Sequence, residues 1–125
     1  ICVGMQIMFE GSDEGLSNGL GWIKGSVKKF KFPEKSDLQI PHMGWNTIDE
    51  KNSHTLFNKI SFSDGFYFLH SYYAECNDES IILTQTNHGN NFISGLCYEN
   101  IFAVQFHPEK SHSNGIQFFY NFSMV

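Results

Sequence analysis

A thiol, an imidazole and a carboxylate are the three groups of this sequence whose types and settings could do covalent chemistry together. The thiol is Cys2, within Ile1-Cys2-Val3-Gly4-Met5-Gln6. A small residue two places after a nucleophile lets the chain turn sharply from strand to helix, the mechanics of a nucleophile elbow. Such a turn pushes the sulfur out of a sheet and sets it at a helix N-terminus, where backbone N–H groups and the helix dipole favour a thiolate. The N–H of Val3 would then face a developing oxyanion. Alone, Cys-x-Gly is equally the pattern of a small apolar core residue. The imidazole and carboxylate are His107 and Glu109, within Phe106-His107-Pro108-Glu109-Lys110-Ser111. In an extended segment residues two apart point the same way, and Pro108 stiffens the link. A carboxylate beside a histidine holds its tautomer and steadies the imidazolium. Alone, His-x-Glu is also the pattern of an idle polar strand end. Taken together, the three supply a nucleophile, a base and an orienter for it.

The elements that must position them are strand-rich. Cys2 to Glu10 reads as a turn entering a short amphipathic helix, and Gly11 to Gly21, rich in Gly, Ser, Asp and Asn, as a loop. Trp22 to Phe32 roughly alternates apolar and polar residues, Val27, Phe30 and Phe32 against Lys28, Lys29 and Lys31, and predicts a strand. Pro33 to Pro41 is a connection, and His42 to Ile48 a turn leading into a short strand. Phe66 to Tyr73 is a dense aromatic run, expected to be one strand buried on both faces. Ser80 to Thr86 and Phe92 to Tyr98 predict two strands around an Asn-Gly-rich turn, His88 to Asn91. Ile101 to Phe106 is a β-rich apolar run interrupted by the polar Gln105, and Gly115 to Phe122 predicts a closing helix. Helices at both ends of a strand-rich middle indicate an α/β domain.

Composition narrows the function classes. The 13 Phe residues predict a phenylalanine-rich core, and a formal net charge of −5 gives no pull toward nucleic acid or an acidic membrane surface. Cys2, Cys76 and Cys97 are odd in number and irregularly spaced, which fits neither a disulfide framework nor a zinc knuckle and suits a reducing, cytoplasmic setting. The six histidines lack His-x-x-x-His spacing, so no metal site is expected, and no cofactor loop is visible. No apolar run has the length of a bilayer span.

Cys2 to Gln6 and Phe106 to Ser111 resemble the two signature motifs of class I glutamine amidotransferases. Within that family, Gly19-Leu20-Gly21-Trp22-Ile23, Pro41-His42-Met43-Gly44-Trp45-Asn46 and Tyr67-Phe68-Leu69-His70-Ser71-Tyr72 resemble the glutaminase subunits of imidazole glycerol phosphate synthases. The resemblance runs from Cys2 to Asn121-Phe122. It implies an α/β, flavodoxin-like amidotransferase fold, a mixed and mostly parallel sheet flanked by helices. Residues 1–125 are expected to be the C-terminal portion of such a domain, with the strand before the elbow and a second oxyanion donor lying upstream.

The resemblance also implies roles. Cys2 would attack the side-chain amide of glutamine, His107 would move protons and Glu109 would orient His107. Val3, Gln6, Glu14, His70, Ser71 and Tyr72 would form the glutamine pocket, with the Glu14 carboxylate suited to the substrate's α-ammonium. Pro41, His42, Met43, Gly44, Trp45, Asn46, Tyr67 and Lys110 would face a (β/α)8-barrel cyclase partner in a heterodimer. That partner would take up ammonia and make imidazole glycerol phosphate in histidine biosynthesis. A paralogue serving amination of a surface-polysaccharide or flagellar sugar would carry the same triad. Two readings of other classes are a catalytically silent partner-binding subunit and an unrelated α/β cysteine hydrolase. The intact Cys2, His107 and Glu109 weigh against the first, and the His42 to Asn46 and His70 to Tyr72 motifs against the second.

Overall fold

The computed structural model describes all residues, 1–125. One helical turn, α1 (Val3–Gln6), is followed by nine strands: β1 (Phe9–Ser12), β2 (Ile23–Lys29), β3 (His42–Asn46), β4 (Asp49–Glu50), β5 (Phe66–His70), β6 (Tyr72–Glu75), β7 (Ile82–His88), β8 (Asn90–Tyr98) and β9 (Ile101–Val104). Helix α2 (His112–Phe122) closes the chain. The strands form three hydrogen-bonded sets, β1-β2-β6, β3-β5 and β4-β7-β8-β9. Only β1–β2 is a parallel pairing; the other pairings are antiparallel. The sheet is therefore mixed, as expected, but within these residues it is not mostly parallel. Short reversals such as His88-Gly89-Asn90 can join only antiparallel neighbours.

Two of the expected elements come out differently. The helix after Cys2 lasts one turn, because Phe9 to Ser12 is taken up as a strand beside β2. The aromatic run Phe66 to Tyr73 is two strands broken at Ser71, one paired with β3 and the other with β2. It is not buried on both faces: Phe66, Phe68 and His70 point inward, while Leu69 is exposed and Tyr67 half-buried. The outward residues are themselves apolar, so the two-residue period is hidden in the composition.

The phenylalanines do make the core. Phe66 stacks on Phe106 at 3.9 Å between ring centroids, and Phe68, Phe92, Phe57 and Phe118 pack around them. A second cluster, built on Met5, Phe9, Val27 and Leu96, lies under α1 and β2. Helix α2 buries Asn114, Gly115, Phe118 and Asn121, one face at helical spacing. Its asparagines are structural. Asn114 donates to the carbonyls of Ser61 and Gly65, and Asn121 to those of Leu56 and Asn58, so the helix supplies partners to a loop that has no ladder of its own.

Gly65, at the start of β5, sits at φ +67°, and a Cβ there would lie 2.1 Å from the carbonyl oxygen of Asn46 on β3. Both conformation and space demand glycine. Gly65→Ala is expected to lower unfolding stability by about 2 kcal/mol or more, read from urea unfolding curves. An unchanged midpoint would show that the β3–β5 approach is looser than described.

Candidate active site

Cys2 adopts φ 48°, ψ −113°, a left-handed backbone that a non-glycine residue holds only when its surroundings enforce it. Two contacts do so. Its N–H donates to the Val104 carbonyl at the end of β9 (2.8 Å), and its carbonyl accepts from Met5 in the turn of α1. The sulfur lies between Leu69 and Gln105: the thiol donates to the Leu69 carbonyl at 3.7 Å, and the Gln105 amide nitrogen donates to Sγ at 3.5 Å. The elbow geometry is present, but Gly4 does not explain it here, since no heavy atom lies within 4 Å of where its Cβ would be. The expected preference for thiolate is reversed. Burial dominates and pushes the Cys2 thiol up; the Val3 N–H is the main opposing effect, the Glu109 charge adds to the rise, and the Gln105 amide opposes it least. A helix of one turn has little dipole to set against desolvation.

His107 and Glu109 meet as expected, by a different route. His107 is extended, but Pro108–Lys110 is a turn of 3₁₀ helix, so the turn rather than strand alternation brings the carboxylate back to the ring. Nδ1 of His107 lies 2.6 Å from Oε1 of Glu109. With the proton on Nδ1 donated to the carboxylate, Nε2 carries the free lone pair. That Nε2 is buried and has no hydrogen-bond partner, alone among the buried side-chain nitrogens and oxygens. The backbone here is held tightly. His107 N–H donates to the Tyr67 carbonyl at 2.8 Å, the Ser111 hydroxyl donates to the His107 carbonyl, and Tyr67 N–H donates to the same hydroxyl.

Cys2 and His107 are thus both hung from β5. In a strand, carbonyls two residues apart point to the same edge, separated by roughly 7 Å. The carbonyl of Tyr67 takes the His107 backbone and that of Leu69 takes the Cys2 thiol, while β3 occupies the other edge of β5.

Val3, Gln6 and Glu14 line one pocket, about 270 Å³, beside Ile7, Ser12 and Ser17. Glu14 is exposed at its rim, its backbone N–H bonded to the Ser12 hydroxyl. His70, Ser71 and Tyr72 do not line that pocket. The His70 ring is 6 % exposed and bonded within the interior; Ser71 and Tyr72 are half-buried, and each lends its backbone carbonyl to a neighbour, Ser71 to Phe30 N–H and Tyr72 to Gln6. Of the β3 motif, Pro41, Met43 and Trp45 are exposed, and Gly44 and Asn46 are intermediate. His42 is 4 % exposed and belongs to the interior, because its neighbours alternate outward. Met43 and Trp45 pair across the ladder with Leu69 and Tyr67, so one face of β3–β5 presents four large apolar side chains. Lys110 Nζ lies over the Tyr67 ring at 5.7 Å, and Trp45 stacks on His112.

The sequence assigns no role to Gln105 or to Leu69, and it places His42 and His70 in the site without showing that they bond to each other. Gln105 reads only as a polar residue inside an apolar run, a signal that a buried position just beyond β9 holds an amide for a reason. Leu69 acts through its backbone, which no residue type advertises. His70 Nδ1 faces the Tyr72 carbonyl (2.7 Å), so it donates; His70 Nε2 then accepts from His42 Nδ1 (2.9 Å), and His42 Nε2 accepts from Asn46 (3.1 Å). Both rings are thereby neutral.

Residues 1–124 match the family described as Glutamine amidotransferase class-I. The chain is 47% identical over 127 residues to an imidazole glycerol phosphate synthase subunit HisH of Leptospira borgpetersenii, 44% over 126 residues to that of Leptospira interrogans, and 42% over 126 residues to that of Bdellovibrio bacteriovorus. Each match covers 100% of this chain and 62% of the relative, so the chain spans under two thirds of the length of these proteins.

Burial, and then the charges of neighbouring histidines, hold His42 down to about 3; burial holds His70 down to about 4 against the raising effect of its bond to the Tyr72 carbonyl. The unfolded chain takes up these protons near the ordinary 6.5, before the folded chain does. Stability is therefore complete above about pH 6.5 and falls progressively as pH drops toward about 4 and then 3. Ring carbon shifts of His42 and His70 that titrate near pH 6.5 in the folded protein would contradict this.

Proposed function

The chain belongs to the class I glutamine amidotransferases, and from that premise we propose that it hydrolyses glutamine to glutamate and ammonia through a thioester on Cys2. The observation that carries the reading is the buried, partnerless Nε2 of His107, on a ring whose other nitrogen is held by Glu109. It is a base with its lone pair kept free, on a residue whose backbone hangs from the same strand edge as the sulfur. Because burial keeps Cys2 protonated at rest, attack requires a base, and Nε2 is the atom to supply it.

Each step conserves atoms and charge. The thiol proton passes to His107 Nε2 as Sγ bonds to the side-chain amide carbon of glutamine, and the oxygen of that amide becomes an oxyanion facing the Val3 N–H. The tetrahedral centre collapses, the C–N bond breaks, and the imidazolium gives its proton to the departing nitrogen, which leaves as ammonia. Water then adds to the thioester, its proton taken by Nε2, and glutamate leaves as Cys2 recovers its proton. Glu109 keeps the ring's proton on Nδ1 and balances the imidazolium. The pocket between α1 and the Glu14 loop receives the amino-acid end of the substrate, with the Glu14 carboxylate on its α-ammonium.

The relatives' names add a destination, an imidazole glycerol phosphate synthase. On this reading, which the motif resemblance extends beyond those names, the chain passes ammonia to a (β/α)8-barrel cyclase in a heterodimer of histidine biosynthesis, in the cytoplasm. No helix is long and apolar enough to cross a membrane. Met43, Trp45, Tyr67 and Leu69 supply a contiguous apolar face with Lys110 at its margin, the composition of a docking surface. Enclosed transfer suits the chemistry, since ammonia released to water near neutral pH is mostly protonated and no longer nucleophilic.

Glutamate release by the full-length protein with its cyclase partner is expected to fall by at least about 10³-fold in Cys2→Ala. Glu109→Gln is expected to lose about 10²-fold or more, because the amide can donate to Nδ1 and move the ring proton onto Nε2. Turnover by Cys2→Ala equal to that of the parent would remove the mechanism. Trp45→Ala is expected to weaken partner binding about tenfold or more, measured by calorimetry; unchanged affinity would move the docking face elsewhere.

A further inference from the structure

The polar groups behind Cys2 form one hydrogen-bonded system, and the direction of each bond follows from its fixed ends. A backbone carbonyl can only accept. The Tyr72 carbonyl lies 2.9 Å from Gln6 Nε2, so that nitrogen donates to it, which orients the Gln6 amide. The same nitrogen donates to Gln105 Oε1 at 2.9 Å. The oxygen of Gln105 therefore faces Gln6, and its NH₂ faces Cys2 Sγ at 3.5 Å. The amide cannot flip without setting two donors against each other. From the other side, Asn46, His42 and His70 donate in sequence to the same Tyr72 carbonyl, so the anchor of this chain is pinned from β3 as well.

Gln105 is completely buried (0 % exposed), between Val104 and Phe106 of the core. An amide so placed costs free energy unless its bonds are made, and the sulfur is the group on which its NH₂ is spent. Besides the Val3 N–H, which also favours the thiolate, the sulfur has two hydrogen-bond partners that differ in kind. Leu69 offers an acceptor, which holds a thiol and repels a thiolate. Gln105 offers a donor, which holds both and binds the thiolate more strongly.

We propose that Gln105 is a positioning residue for the Cys2 sulfur: when the proton leaves, the bond to Leu69 is lost and the bond from Gln105 tightens, keeping Sγ in place for attack. The inference rests on the reading of Cys2 as the nucleophile. It gives Gln6 a duty besides lining the pocket, since Gln6 fixes which end of the Gln105 amide the sulfur meets.

The test is the pH dependence of Cys2 alkylation by iodoacetamide in the full-length protein, followed peptide by peptide by mass spectrometry, with Cys76 and Cys97 as internal references. Gln105→Met, which keeps bulk and removes the donor, is expected to move the Cys2 midpoint up by about one pH unit and leave the references in place. Gln105→Glu, of the same shape, is expected to move it up at least as far. In glutamine hydrolysis kcat falls about tenfold with KM within about twofold. An unmoved Cys2 midpoint in both variants overturns the proposal. So does an equal shift at all three cysteines, or the loss of folding in both variants, which would make Gln105 a packing residue. The two readings fail separately. A shifted midpoint in a protein that releases no glutamate would sink the glutaminase reading alone, and glutamate release with an unmoved midpoint would sink this one alone.

Discussion

One edge of strand β5 holds both the Cys2 sulfur and the His107 backbone. A strand offers its backbone groups alternately to its two sides. β5 gives one side to β3 and leaves the carbonyls of Tyr67 and Leu69 for the two ends of the chain. The His107 backbone takes one and the Cys2 thiol the other. Residues more than a hundred positions apart are tied to neighbouring carbonyls of one strand edge, and their local segments also meet directly, through Cys2 N–H to the Val104 carbonyl and Gln105 to the sulfur. The inward residues of the same strand, Phe66 and Phe68, are fully buried and stack into the phenylalanine core, so the edge is as rigid as the core behind it.

Around that edge the polar groups are nearly all paired, and the exception is informative. Asparagines of α2 satisfy the carbonyls of the loop before β5, His42 and His70 satisfy each other, and the two glutamines share their amides. Leaving a buried nitrogen without a partner costs free energy, and a structure this thorough elsewhere leaves only His107 Nε2 so. The ring is held by Glu109 on one side and kept vacant on the other, the condition for receiving a proton. The same economy explains why the buried histidines stay neutral: a charge on either would set two donors face to face.

Electrostatics at the sulfur runs against the simplest picture of an elbow. A helix N-terminus lowers a thiol's pKa only when the helix is long enough and the site polar enough. Here the helix is a single turn and the sulfur is partly buried with Glu109 nearby, so the neutral thiol is favoured at rest. A nucleophile made on demand by a base suits this setting, and a donor such as the Gln105 amide matters most at the moment the charge appears.

The candidate groups are legible in the order of residues. Cys-x-Gly and His-Pro-Glu are local patterns whose meaning lies within a few positions, and they single out the proposed nucleophile, base and orienter. A strand after Trp22, the Asn-Gly-rich reversal between β7 and β8, the phenylalanine core and the closing helix were readable for the same reason: turn chemistry and residue propensity are written in neighbouring residues. Tertiary structure alone decided that Phe66 to Tyr73 breaks at Ser71 and joins two sheets, that His42 and His70 face inward, that His107 meets Glu109 through a 3₁₀ turn, and that Gln105 reaches the sulfur. Each of these depends on which strand edge meets which, a register set by long-range packing that no local pattern encodes.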